Sequence, residues 1–153
     1  MSLAIIRLTG DTKIAVTTGI YYSYRLNQEN GNAIDMDAAG MYCSLHTISG
    51  SGTVANLNST SYALLTGECA ASGNYTTGGV AVTGATVSGT SVVTFTTSAI
   101  TFTNLTTTAR YAVIRSSSSA LIMYIDFGAD QSPAGQNVVI TPATTGLIVK
   151  SIV

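Results

Sequence analysis

The sequence predicts an all-β protein: an antiparallel β-sandwich, jelly-roll or immunoglobulin-like, with an N-terminal extended arm or β-hairpin. Short runs rich in Val, Ile, Thr, Tyr and Phe recur at roughly 8–12-residue spacing between Gly-, Ser- and Asn-rich turns, the pattern of a sandwich or barrel. No long stretch shows helical periodicity. Hydrophobic residues make up 46% of the 153 residues and charged residues 8%, against a usual charged share of about 25%. A chain of this length can bury a core of its own. So thin a charged coat also suits a subunit whose surface is covered by partners.

Residues 1–40 read as an arm or extra strand pair and residues 41–153 as the sandwich domain. Within the first part, Ala4–Leu8, Ile14–Thr18 and Ile20–Leu26 are short β-prone runs. Tyr21, Tyr22 and Tyr24 supply stiff contact area with a polar tip, suited to a neighbouring subunit. The alternative is a first hairpin of the same domain, its tyrosines lining the core. From Met41 the pattern becomes regular. Met41–Ile48 reads as a strand with Met41, Cys43 and Leu45 on one face and Tyr42, Ser44 and His46 on the other, exposed one. Ser49–Gly52 reads as a turn, and Thr53–Cys69 as either a short helix or an irregular strand. Short runs follow at Val80–Thr83, Ala85–Val87 and Val92–Thr96.

Two further runs, Tyr111–Arg115 and Leu121–Phe127, flank Ser116–Ser119. In the second, Leu121, Met123, Ile125 and Phe127 alternate with Ile122, Tyr124 and Asp126. A strand apolar on both faces belongs at the centre of a sheet or against a neighbour. Val138–Thr141 and Leu147–Val153 close the chain. The last run is too apolar for a bare edge, so Leu147, Ile148, Val149 and Ile152 join the three tyrosines as expected contact residues.

Searching for chemistry yields little. His46 is the single histidine, no GxSxG elbow surrounds a serine, and its strand position predicts a solvated or interface side chain. Asp35 and Asp37 start a calcium-like pattern, but Ala39 stands at the third ligand place and His46 at the distal one. Cys43 and His46, three apart on a strand, fall on opposite faces, which argues against zinc. Cys43 and Cys69 read as small core residues rather than a disulfide. Glu68, Asp126 and Asp130 have no diagnostic spacing for a glycosidase pair, and Asp126 reads as a carboxylate serving turn backbone donors. The glycine clusters match no phosphate-binding fingerprint, so no cofactor is expected.

A net charge of −1, with scattered basic residues, offers no footprint for nucleic acid. No apolar run approaches the ~20 residues of a membrane-spanning helix. The N-terminus lacks the long apolar core of a secretory signal.

The segments TGECAASGNYTTGGVAVTGATV (66–87), ITFTNLTTTARYAVIR (100–115) and MYIDFGADQSPAGQNVVITP (123–142) resemble a family of small tailed-phage virion proteins. These carry a similar glycine–tyrosine–threonine–glycine–glycine segment, a threonine-rich segment ending in Ala-Arg, and a DFG-like strand end. The likeness covers residues 41–153. It implies a non-enzymatic β-sandwich subunit of the virion, assembled in the host cytoplasm and present in many symmetric copies. The implied partners are the chain itself, a trimer being one option, and a major capsid, neck or tail protein. Capsid decoration is the leading role. The alternatives are a neck or tail position or a receptor- or carbohydrate-binding head domain, with Tyr75 near Asp130 as a sugar site. A virion hydrolase using Glu68 or Asp130 is the remaining rival.

Overall fold

The computed structural model describes residues 5–8, 13–14, 16–37, 40–143 and 145–151. Their β-strands form several antiparallel sheets. Strands β1 (Ile5–Leu8), β2 (Lys13–Ile14) and β3 (Thr17–Ile20) precede helix α1 (Tyr22–Glu29). Then come β4 (Met41–His46), a short helix α2 (Ser51–Val54), β5 (Val80–Val82), β6 (Thr86–Ser88) and β7 (Val92–Thr96). The chain ends with β8 (Ile100–Leu105), β9 (Ala109–Ser116), β10 (Leu121–Gln131), β11 (Gln136–Thr141) and β12 (Ile148–Ser151). One sheet has the order β2-β1-β11-β8, a second β3-β10-β9-β4-β5 and a third β12-β7-β6.

The five-stranded sheet is the spine. Its β9 and β10 are the runs expected to lie centrally, and each has a hydrogen-bonded neighbour on both sides. Ala112, Val113, Ile114, Ile122 and Ile125 are fully buried. One face, with Met41, Cys43, Leu45, Ile114, Ile125 and Phe127, joins Phe102, Ile140, Phe95 and Leu147 in the main core. That core therefore draws on all three sheets. The opposite face carries a second cluster of Tyr21, Val54, Tyr111, Val113 and Leu121.

The expected alternation along β10 is broken at its start. The register to β9 shifts between Leu121 and Met123, so Leu121 packs in the second cluster while Ile122 joins Met123, Ile125 and Phe127 in the main core. An irregularity of this kind inserts an extra residue and re-aims the side chains before it.

Residues 20–26 correct the sequence expectation more plainly. Only Ile20 belongs to a strand; from Tyr22 the chain is helical. The segment YSYRLNQE holds no β-branched residue, and its Leu, Arg, Gln and Glu favour a helix. Asn30 closes it with a bond to the Leu26 carbonyl, and Gly31 follows at φ +75°, the left-handed turn that commonly ends helices.

The N-terminal strands pair within the chain itself. β1 lies antiparallel to β11, and β3 to β10 with Gly19 opposite Tyr124. Of the three tyrosines of this segment, Tyr21 packs in the second core cluster, while Tyr22 and Tyr24 lie on α1.

A helical excursion, including α2 and a 3-10 turn at Tyr62–Leu64, separates β4 from β5. It returns beside the end of β4 through the Thr47 N–H to Gly67 carbonyl and Cys69 N–H to Leu45 carbonyl bonds, both 2.8 Å. Gly79 is what lets the chain then close onto β4. Its φ is +100°, and a Cβ there would stand 2.5 Å from the Cys43 carbonyl oxygen. Gly79→Ala should therefore cost about 2–4 kcal/mol of unfolding free energy. Gly31→Ala, equally left-handed but with open space around it, should cost about 1 kcal/mol. Urea unfolding of the two variants tests the difference; equal losses would mean that the Cys43 contact does not constrain the turn.

Candidate functional site

The residues with chemical potential gather on the outer face of the five-stranded sheet, beneath the 47–69 excursion. Ser44 and His46 stand two apart on β4 and so share a face. His46 Nδ1 lies 3.0 Å from the Thr66 carbonyl oxygen and its Nε2 lies 3.0 Å from Ser44 Oγ. A carbonyl only accepts, so Nδ1 carries the proton; in the neutral ring Nε2 then accepts from the serine hydroxyl. Burial pushes the His46 pKa down, outweighing the Thr66 contact and the Glu68 charge that favour the proton.

This corrects the expectation of a solvated or interface histidine, for His46 is 1% exposed and Ser44 0%. A serine bonded to an imidazole oriented by a third group is also the arrangement of an activated nucleophile. In this fold both groups are closed beneath a roof, with the Tyr62 ring edge-on to the imidazole at 6.1 Å.

Glu68 pins the return of that roof. Its Oε1 accepts from the Gly78 N–H at 2.6 Å and the Tyr75 hydroxyl at 2.8 Å. Burial pushes the carboxyl up, but Tyr62, the Gly78 N–H, Tyr75 and His46 around it hold it below the ordinary value. Tyr75 is 1% exposed, and its oxygen also accepts from the Leu45 N–H at 3.1 Å. A buried Tyr75 cannot serve as a sugar platform, and an acidified Glu68 is the reverse of a general acid held protonated near neutrality.

Arg115 completes the clamp. Its guanidinium carbon lies 4.3 Å from the Tyr62 ring centre and 4.9 Å from that of Tyr42. Its Nη2 donates to the Gly78 carbonyl at 2.7 Å. Tyr62 Oη and Arg115 Nε are buried without a partner in hydrogen-bonding geometry, although the hydroxyl lies near both Glu68 and Ser44.

Elsewhere, Asp126 accepts from the Gly128 N–H at 2.8 Å and pairs with Arg110 at 2.6 Å; it does so within β10, where the register to β9 shifts, and not at the strand-ending turn expected of it. Asp130 is exposed on the same strand. Cys43 and Cys69 are buried free thiols, pushed up by burial to about 12 and about 11. Among the described residues no group of His, Cys, Asp and Glu could hold a metal ion.

The expected contact residues scatter. Tyr21 is fully buried, its hydroxyl donating to the Val54 carbonyl at 2.7 Å, so its surface is already spent inside the chain. Leu147 and Ile148 are likewise core residues, at 3% and 9% exposure. The side chains of Val149 and Ile152 lie outside the described residues. Tyr22 is 52% exposed. Tyr24 is half-buried and donates to Met36 Sδ at 2.7 Å; with Ile148 it lines a cleft beside the three-stranded sheet. Sequence reasoning missed Leu26, 59% exposed and one turn beyond Tyr22 on the same helix face. Reading Asn30-Gly31 as a helix stop would have brought the two together.

Comparison of the chain with protein-family models, curated proteins and solved structures returns no match.

The buried imidazole makes stability pH-dependent in a defined direction. With the folded-state pKa below the unfolded value near 6.5, the unfolded chain takes up the proton first as pH falls. This contribution is fully present above about pH 6.5 and is lost toward the lower folded-state pKa. Denaturant midpoints should therefore drop between about pH 7 and 5 in the parent chain, whereas His46→Gln should be less stable at neutrality yet flatter across that window. Parallel profiles for the two chains would remove His46 as the titrating group. Tyr75→Phe, which strips the hydroxyl shared by Glu68 and Leu45, should cost about 1–3 kcal/mol in the same measurement.

Proposed function

We propose that the protein is a non-enzymatic structural subunit of a tailed-phage particle. In this reading it decorates the capsid or serves at the neck or tail, packing against copies of itself and a capsid, neck or tail protein. The observation that carries the reading is an outward apolar pair on a thinly charged molecule. Tyr22 and Leu26, four residues apart on α1, are 52% and 59% exposed, and no residue of that helix is buried. Only six basic and seven acidic side chains serve the whole chain. Aromatic and aliphatic anchors of this kind dominate the energetics of protein interfaces.

Two further features support it. The five- and four-stranded sheets contribute to one core, as a sandwich of jelly-roll or immunoglobulin-like type would. Ser44 and His46, the pair with nucleophilic potential, are engaged in holding the fold and closed to solvent. Many copies on a shell multiply modest contacts into avid attachment, so each interface can be small.

Replacing both anchors, Tyr22→Glu with Leu26→Glu, leaves the buried network untouched. Sedimentation equilibrium and particle-binding assays should show at least a tenfold loss of self-association or attachment, about 1.4 kcal/mol or more. A parent chain that stays monomeric at high concentration and binds no phage shell would overturn the reading.

A further inference from the structure

Helix α1 ends on the segment Glu29-Asn30-Gly31-Asn32, and Asn30 is the one asparagine of the chain that a glycine follows. Both residues of that pair are exposed, and a Cβ built on Gly31 would meet nothing within 4 Å. Two backbone bonds close the helix there. The Asn30 N–H donates to the Leu26 carbonyl at 2.9 Å and the Asn32 N–H to the Asn27 carbonyl at 3.0 Å, with Gly31 at φ +75° between them. Glycine suits this left-handed place, and its missing side chain leaves its nitrogen open to close approach. Asparagine is itself a chemically labile residue.

Other asparagines lack the combination. Asn74 is held against β8, its Oδ1 accepting from the Thr103 N–H at 2.7 Å and its Nδ2 donating to the Thr101 carbonyl at 3.1 Å. Asn58 precedes Ser59, whose N–H is bonded to the Asn56 carbonyl. Asn32 and Asn56 precede Ala33 and Leu57, whose side chains crowd the backbone nitrogen. At Asn30 the fold supplies a restraint of its own. With ψ at 6°, the Gly31 nitrogen eclipses that of Asn30 and lies away from the side-chain amide. Bringing the two together requires rotation about the Asn30 Cα–C bond, which breaks the Asn32–Asn27 bond. Helix ends open in this local way at little cost.

We propose that Asn30 is a site of spontaneous deamidation, gated by opening of the last turn of α1. Solvent base removes the Gly31 N–H proton, and the nitrogen bonds to Asn30 Cγ. The Cγ–Nδ2 bond breaks, and the nitrogen departs as ammonia with a proton from water. A water molecule then opens the resulting succinimide. Opening at Cγ gives aspartate; opening at the Asn30 backbone carbonyl carbon gives isoaspartate, with the chain running through the former side chain. No electrons are exchanged and only water is consumed, so the reaction proceeds whether or not the chain assembles on a particle. Either product sets a new carboxylate beside Glu29 at the negative end of α1, an unfavourable position. The isoaspartate also lengthens the backbone by a methylene, so the Asn32–Asn27 bond cannot close as before.

The test is to age the full chain in mildly alkaline buffer and map its peptides by mass spectrometry with fragmentation that separates aspartate from isoaspartate. Both should appear at residue 30, at least about tenfold faster than at Asn32 or Asn56, and faster as pH rises. Asn30→Gln, which cannot form the same ring, should abolish them. Guanidinium chloride should speed the reaction in the parent chain by removing the cap. In the aged chain, hydrogen exchange should quicken at the Asn32 amide and stay unchanged at the Cys69 amide, which is bonded to the Leu45 carbonyl within the sheet region. No isoaspartate at residue 30 without denaturant, equal rates at the other asparagines, equal rates with and without denaturant, or unchanged exchange at Asn32 would each overturn the proposal.

Discussion

A sheet that is apolar on both faces must be covered on both. In this chain β4, β9 and β10 impose that requirement, because Cys43, Leu45, Ile114 and Ile125 point one way while Val113 and Leu121 point the other. The first face is satisfied by the strands of the neighbouring sheets. For the second the chain uses its own 47–69 excursion and Tyr21, which place Val54 and the Tyr62 ring over the outer surface. Taking such surface out of water contributes about 25 cal/mol per Å² of apolar area, but a roof of turns cannot hold itself in place. It is held by polar contacts at its return: Glu68 to Tyr75 and Gly78, and Arg115 to Gly78 between two tyrosine rings.

The same requirement explains why Ser44 and His46 are enclosed. Ser44 and His46 sit where the roof meets the sheet, and a polar group in that position must find a partner or cost free energy. Each partners the other, and the Thr66 carbonyl takes the remaining imidazole proton. The cost is sensitivity to acid, since a second proton on His46 has no acceptor prepared for it beyond the serine oxygen and the nearby Glu68 charge.

What the buried network leaves available lies at the periphery. Helix α1 leans on the sheets without burying any residue, so one side of it, Tyr22 and Leu26, faces outward while Tyr24 and Arg25 turn toward the cleft. One short helix thereby carries an exposed apolar pair on one side and a wall of the cleft on the other.

The sequence by itself determined the β class and the approximate positions of most strands after Met41. It also determined that β9 and β10 lie inside a sheet, because period-two patterning and β-branched runs are local properties of the chain. The core placement of Cys43 was legible for the same reason. Alternation cannot say what covers a face: it put His46 on one side of β4 but not under a roof whose Thr66 carbonyl, twenty positions later, meets its ring. Nor could it separate Tyr21 from Tyr22, whose fates diverge because the chain leaves the β3–β10 ladder between them, with the Tyr21 N–H still bonded to the Ile122 carbonyl. The cleft was invisible for a related reason. Its walls come from residues 20–37, 87–95 and 148, and only the tertiary structure brings such distant segments together, through strand register and packing.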